Sequence, residues 1–207
     1  MQPENERSDQ GKRSFIEQAR RAQIVRAAIE TIAEIGYPKA SFAQIARRAG
    51  VSPGLITYHF AKREELIKQV MVTVHESMDA DLTARTEGVE SYLTALRNLI
   101  EGYVRYCAQH PQELIAIGRI AANAADARDW SDRQQVRTLT EMADMFREGQ
   151  QHGEFREFSP RVMAVALMAA LEAVPAELMG DPETDVARFA DELATLFERA
   201  VVVAAKS

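Results

Sequence analysis

Twenty residues, Ser41 to Phe60 (SFAQIARRAGVSPGLITYHF), constrain this chain more than any other stretch. Ser41 is placed to cap a short helix, and Gln44, three residues on, to reach back and complete a capping box. Ile45, Ala46 and Ala49 then form an apolar stripe at helical spacing. Gly50 stands where a left-handed backbone ends a helix, and Val51 is placed to plug the corner. Ser52 caps a second helix whose first position is Pro53, where a missing N–H costs nothing. Ile56 and Phe60, four apart, are its inward pair. Two short helices around a tight glycine-containing turn make a helix-turn-helix, a motif whose second helix enters the DNA major groove.

The segment resembles the DNA-binding helix-turn-helix of the tetracycline-repressor (TetR) family of bacterial transcription regulators. Upstream, Gln23 to Ile29 with Ile32, Ile35 and Gly36 is similar to the family's first helix. Downstream, Ala61-Lys62-Arg63-Glu64-Glu65-Leu66 is similar to its continuation into a fourth. The likeness covers about Arg20 to Val70, roughly a quarter of the chain. One departure is Thr57-Tyr58, where the family often carries two tyrosines before His-Phe.

The residue types suit recognition. The small first turn, Pro53-Gly54, lets backbone approach base edges, and helix N-terminal N–H groups favour phosphate. Leu55 suits a thymine methyl, and Thr57 a base or phosphate. Tyr58 and His59 offer polar tips on aromatic bodies; each can instead simply pack. Ser41 and Arg63 are placed for phosphates, although Ser41 can serve as a cap alone. The resemblance implies that the positions of Pro53, Gly54, Leu55, Thr57, Tyr58, His59 and Arg63 line the DNA.

The net charge of −6 argues against a generic nucleic-acid binder, but the charge is unevenly spread. Residues 1–63 hold eleven Lys and Arg against six Asp and Glu, a net +5, which leaves −11 for residues 64–207. A basic N-terminal unit is drawn to phosphates, and an acidic remainder is held off them.

The expected fold is all-α with about nine helices: a tail over 1–14, a helix-turn-helix domain over 15–66, and a larger helical bundle over 67–207 for ligand binding and dimerisation. Arg7, Lys12 and Arg13 give the tail a basic arm suited to the minor groove or to phosphates, or simply a solvated end. Helix one runs from about Phe15 or Arg20 to Ile35, and helix four from near Lys62 to about Arg85. Val89 to Cys107 gives a long amphipathic helix closed by His110-Pro111. Another covers Gln112 to Ala124, with a loop over Asp126 to Asp129 and a helix capped by Ser131. Ser159-Pro160 opens a helix apolar all round, which predicts burial on every side and an end or bend at Pro175. The last helix spans about Glu183 to Ala204.

The last two helices are the expected dimer interface, through Val162, Val165, Leu167 and Leu171 on one and Phe189, Leu193, Leu196 and Phe197 on the other. The resemblance implies the same, and a symmetric dimer would give two recognition helices for a palindromic operator. The alternative is an ordinary intramolecular core. The resemblance further implies a cavity among the middle helices whose ligand releases DNA. Met71, His75 and Met78 are candidates for it on helix four, with Tyr103, Tyr106 and Ile117 beyond. Trp130, Met142, Met145 and Phe146 follow. Aromatics and Met suit an apolar or cationic ligand, and equally a plain core.

Cys107 is alone, so no internal disulfide forms, which suits a reducing cytoplasm. The polar first dozen residues predict no secretion leader, and the apolar run Val162–Leu171 is short for a bilayer span. No cofactor or metal is expected: the four histidines have no metal spacing, and no phosphate loop or nucleophile elbow occurs. The reading is a ligand-responsive DNA-binding repressor. Its partners are operator DNA, a small-molecule effector and a second copy, with no membrane. An enzyme site assembled in the bundle, or a helical adaptor, are the alternatives.

Overall fold

A computed structural model describes residues 4–202, with side chains from residue 15 onward except 125–127. Among the described residues there are nine α-helices, one 3-10 turn and no strand. They form two compact units, one of Met1–Val74 with Ile115–Ala127, the other of His75–Leu114 with Arg128–Ser207.

In the first unit, α1 runs Glu4–Ile35, so most of the stretch expected as a tail is helical. Residues 4–14 contain no proline, and Glu4, Glu6, Arg7, Gln10, Lys12 and Arg13 among them are polar helix formers. Met1–Pro3 and the side chains of Arg7, Lys12 and Arg13 lie outside the described residues. Gly36, at φ 87°, turns the chain after α1 into the 3-10 turn Tyr37–Lys39. Then come α2, Phe42–Ala49, and α3, Pro53–His59. Ser41 Oγ accepts from Gln44 N at 3.3 Å, and Ser52 Oγ from Leu55 N at 3.2 Å. The expected capping box is only half made, because Gln44 Oε1 accepts from Arg47 Nη2 at 2.5 Å instead of turning back. Gly50 closes α2 at φ 65° and ψ 32°, the left-handed form that a residue without Cβ adopts freely. Ile24, Ala28, Ile32, Ile45, Ile56, Phe60 and Leu66 are fully buried.

The helix α4 spans Arg63–Thr86 and crosses from the first unit into the second. The next, α5, is Tyr92–Gln109, capped by Ser91, and α6 is Pro111–Asn123. From Ile115 onward α6 belongs to the first unit, where Ala116 and Ile120 are buried and Arg119 Nη1 donates to the Ile32 carbonyl at 3.2 Å.

In the second unit α7 is Ala125–Gln151, so the loop expected at Asp126–Asp129 is helical and Ser131 caps nothing. No Gly or Pro interrupts the sequence there, and acidic residues are favourable at a helix N-terminus. Next come α8, Pro160–Gly180, capped by Ser159, and α9, Val186–Val201, capped by Asp185. The expected end at Ala204 lies outside the described residues. Pro175 sits inside α8 and does not end it. Leu171 is packed in one apolar cluster, Val174 and Leu178 in another, so both sides of the proline are anchored. Both α8 and α9 pack on α5, around Leu96, Ile100, Phe146, Phe155, Leu167 and Phe197.

The expectation that α8 is buried on every side is corrected. Ala164, Leu167, Leu171 and Val174 turn inward, while Val162, Val165, Ala166, Ala169 and Ala173 are exposed along the opposite stripe. At 21 residues α8 is also longer than the apolar run. By length and composition alone it suffices to cross a membrane, although four of its side chains fill the unit's own core.

Candidate nucleic-acid interface

On α3, Pro53, Gly54, Thr57 and Tyr58 are exposed on one face, Leu55 and His59 are half-buried beside it, and Ile56 and Phe60 are buried behind. The helix is therefore held by its inner pair while its polar side is bare. Thr57 Oγ1 donates back to the Pro53 carbonyl at 3.2 Å. Tyr58 is 71% exposed, lies edge-on to His59 with ring centres 5.1 Å apart, and donates its hydroxyl to Glu17 Oε1 at 3.3 Å. Ser41 is exposed at the start of α2.

The end of α3 is tied to α1 by Arg21. Its Nη1 donates to the His59 carbonyl at 2.8 Å, its guanidinium lies 4.1 Å over the Phe60 ring, and its Nη2 reaches Gln69 at 3.2 Å and Glu65 at 3.7 Å. A cation at a helix C-terminus is favourable, as is one over a ring face. Gln23 does the same for α2, giving Nε2 to the Ala49 carbonyl at 2.8 Å.

Arg63 is placed differently from the phosphate-facing position expected of it. Its guanidinium is half-buried, donates to the Tyr37 carbonyl and stacks 4.1 Å over the Tyr37 ring, with Nε buried and unpartnered. A planar cation next to an aromatic ring and a carbonyl with a lone pair to spare finds both before it finds solvent. Sequence reasoning passed over the exposed Lys39, Arg47 and Lys62. Their signal was ordinary, since a surface basic residue has no distinctive spacing.

The second unit holds an open cavity of about 460 Å³. Each of three helices gives one face to it. From α4 come His75, Asp79, Leu82, Thr83 and Thr86; from α5, Tyr92, Ala95 and Leu99; from α7, Arg137, Thr138, Glu141, Met142 and Met145. Arg137 Nε is paired with Glu141 at 2.7 Å, and His75 faces Asp79 at 3.9 Å and the Trp130 ring edge-on at 5.4 Å. Of the ten candidates only His75, Met142 and Met145 line this space.

Met71 and Ile117 belong to the first unit, Met71 in its interior. Met78 is half-buried on α4 outside the lining. Phe146 is in the core, and Tyr106 is buried with its hydroxyl on Glu113 at 2.6 Å, so burial and that carboxylate raise its pKa. Tyr103 is raised likewise by burial beside Cys107, whose own thiol burial pushes up to about 11. Of the aromatic and Met candidates, Met71, Tyr106 and Phe146 are buried in the interior of their units, while Met142 and Met145 reach the cavity. The threonines and rim charges at helical spacing (Asp79, Thr83, Thr86; Thr138, Glu141) were the signal for the cavity.

Of the expected interface residues, Leu167, Leu171 and Phe197 are buried within their own unit and have no side chain left to offer. Phe189 and Leu193 are half-buried against its inner clusters. Val162 is 67% exposed, Val165 48% and Leu196 62%. Among the described residues no group of His, Cys, Asp and Glu could hold a metal ion.

Residues 24–70 match the family described as bacterial regulatory proteins, tetR family. The transcriptional regulator BetI 1 of Chromohalobacter salexigens is 38% identical over 84 residues, 40% of this chain and 42% of that one. The chain thus spans less than half the length of the curated relatives it matches. Among solved structures, a transcriptional regulator from Saccharomonospora viridis in complex with choline superposes with a TM-score of 0.75 at 21% identity. It covers 89% of this chain and 98% of that one. The regulator AibR, in complex with isovaleryl coenzyme A and operator DNA, gives 0.73 at 17% identity, over 86% and 97%. At these identities the structural likeness concerns the fold.

Proposed function

We propose, from the premise that the chain belongs to the TetR family of bacterial regulators, that it is a ligand-responsive repressor acting as a homodimer on a palindromic operator. The carrying observation is α3: a short helix fixed from behind by Ile56 and Phe60, with Pro53, Gly54, Thr57 and Tyr58 bare on its other side. It enters the major groove with Leu55 and Thr57 at base edges and Tyr58, His59 and Ser41 at phosphates. Arg63 is assigned to holding Tyr37 in place.

The second copy docks on the exposed stripe of α8 and on the exposed Leu196 of α9. A small-residue face lets two such helices approach closely, and packing against a twin suits this half-buried helix better than a lipid phase. The effector occupies the second-unit cavity. The lining suits a small amphipathic molecule, apolar against Leu82, Leu99, Met142 and Met145, and polar toward the hydroxyls of Tyr92, Thr83, Thr86 and Thr138. One helix, α4, carries five of these lining residues and also, at its start, the buried Leu66 and Val70 of the first unit. The ligand acts by binding one of two states more tightly.

Binding-site selection on random DNA followed by a small-molecule release screen tests this. A two-fold symmetric site is the expected result. Selection of no site by wild type at moderate salt would sink the reading, and a Thr57→Ala, His59→Ala protein that binds the selected site as wild type does would sink the roles given to those two residues.

A further inference from the structure

Resting on the DNA-binding reading above, we propose that Glu17 is a specificity-determining residue, a carboxylate that occupies Tyr58 in the free protein in place of a DNA phosphate. Glu17 and Arg21 lie one turn apart on α1 and take hold of consecutive residues at the end of α3. Glu17 Oε1 accepts the Tyr58 hydroxyl at 3.3 Å, and Arg21 donates to the His59 carbonyl at 2.8 Å and covers the Phe60 ring. Arg21 is half-buried, and its contacts are those of a fold-holding group. Glu17 is exposed and buries nothing, and it sets an anion on the bare side of a helix that has to meet phosphates.

A phenol has one proton to donate. The Tyr58 hydroxyl can serve Glu17 or a phosphate oxygen, not both. A phosphate that takes the proton also brings its charge to within about 6 Å of the freed carboxylate, an unfavourable approach that salt screens. Glu17 thus opposes every DNA complex, but not to the same degree. A complex seated by base contacts retains its affinity against it, whereas a complex held by phosphates alone has little else. Loose binding loses proportionally more, because there the mobile backbone leaves Tyr58 with Glu17.

The test measures wild type, Glu17→Gln and Glu17→Ala on a selected operator and on a scrambled duplex over a range of salt. The same measurements are made in a Tyr58→Phe background. Gln keeps the acceptor and removes the charge; Ala removes both. Circular dichroism and the unfolding midpoint check that the fold is retained, which an exposed side chain predicts. Expected at low salt is a gain of about threefold per protomer, about tenfold for a two-headed complex, on scrambled DNA. The gain should be smaller on the operator, should fade as salt rises and should shrink in the Tyr58→Phe background. A Glu17→Gln protein that gains on neither duplex, or at least as much on the operator as on the scramble, overturns the proposal. Failure of wild type to select any operator instead sinks the underlying reading, and is seen before a variant is made.

Discussion

Helices of both units start on local caps, but the two short helices of the first unit carry only those at their N-termini, whereas α5 of the second unit is also held there and along its length by carboxylates from far along the chain. Ser41 caps α2 through Gln44, and Ser52 caps α3 through Leu55, each three residues away. In the second unit Arg97 on α5 binds Glu198 on α9, 101 residues on, at 2.7 and 2.5 Å, and Asp191 at 2.8 Å. Glu154 reaches back 63 residues to Ser91 at the head of α5. Local signals let a short segment present one defined face. Long-range ones let three helices enclose a space whose lining belongs to none of them alone. The first arrangement suits a fixed reading head and the second a site that responds to its contents.

The widest expected effect crosses that division. Val165 is exposed, so Val165→Asp should leave the fold of each chain intact by circular dichroism. A charge on the α8 stripe should nevertheless break the dimer. Losing the second recognition helix should then weaken operator binding about 100-fold or more. Sedimentation velocity with an operator titration checks both. A dimeric Val165→Asp protein with unchanged binding would mean that the exposed stripe is not the contact.

Next in size is Gly149, which sharpens the picture of the second unit as a tightly interlocked body. A Cβ there would lie 2.3 Å from the Phe155 ring, while the Gly149 carbonyl accepts the amides of Glu154 and Phe155 at 3.0 and 3.1 Å. Ring and turn are held on both sides, so Gly149→Ala should cost about 1–3 kcal/mol by urea denaturation despite its better helix propensity. A stabilised variant would show that the turn yields easily.

The same contrast explains what could be read from the sequence. The helix-turn-helix was legible down to its caps and its inward pair Ile56 and Phe60, because each signal acts within four residues. The contact of Arg63 with Tyr37 was not legible because the two lie 26 residues apart. Of the end or bend expected at Pro175 the end does not occur, since packing of Leu171, Val174 and Leu178 on both sides carries the helix through. The cavity was the least legible. Its residues are polar and apolar in alternation on three helices, and only the packing of α4, α5 and α7 in the second unit separates His75, Met142 and Met145 from core residues such as Phe146.

The smallest expected effect asks whether distance along the chain, rather than the kind of interaction, distinguishes the two units. Glu154 does for α5 what a local cap does for α2: its carboxylate accepts Leu93 N at 3.1 Å and Ser91 Oγ at 2.8 Å. Partial burial raises its pKa, but the Leu93 amide and the Ser91 hydroxyl outweigh it and hold the carboxyl below its ordinary value. A group whose folded pKa is depressed stabilises the fold above its unfolded pKa, and loses that contribution as pH falls through the folded one. Wild type should therefore exceed Glu154→Gln by about 0.5–1 kcal/mol at pH 7, the low end for a cap because the site is exposed to solvent. The gap should close as pH falls below about 4.3. Thermal unfolding of both proteins from pH 7 to pH 3 measures it. A gap that persists at pH 3 would mean that Gln fails through shape rather than charge, and that the second unit's cap differs in kind from those of the first.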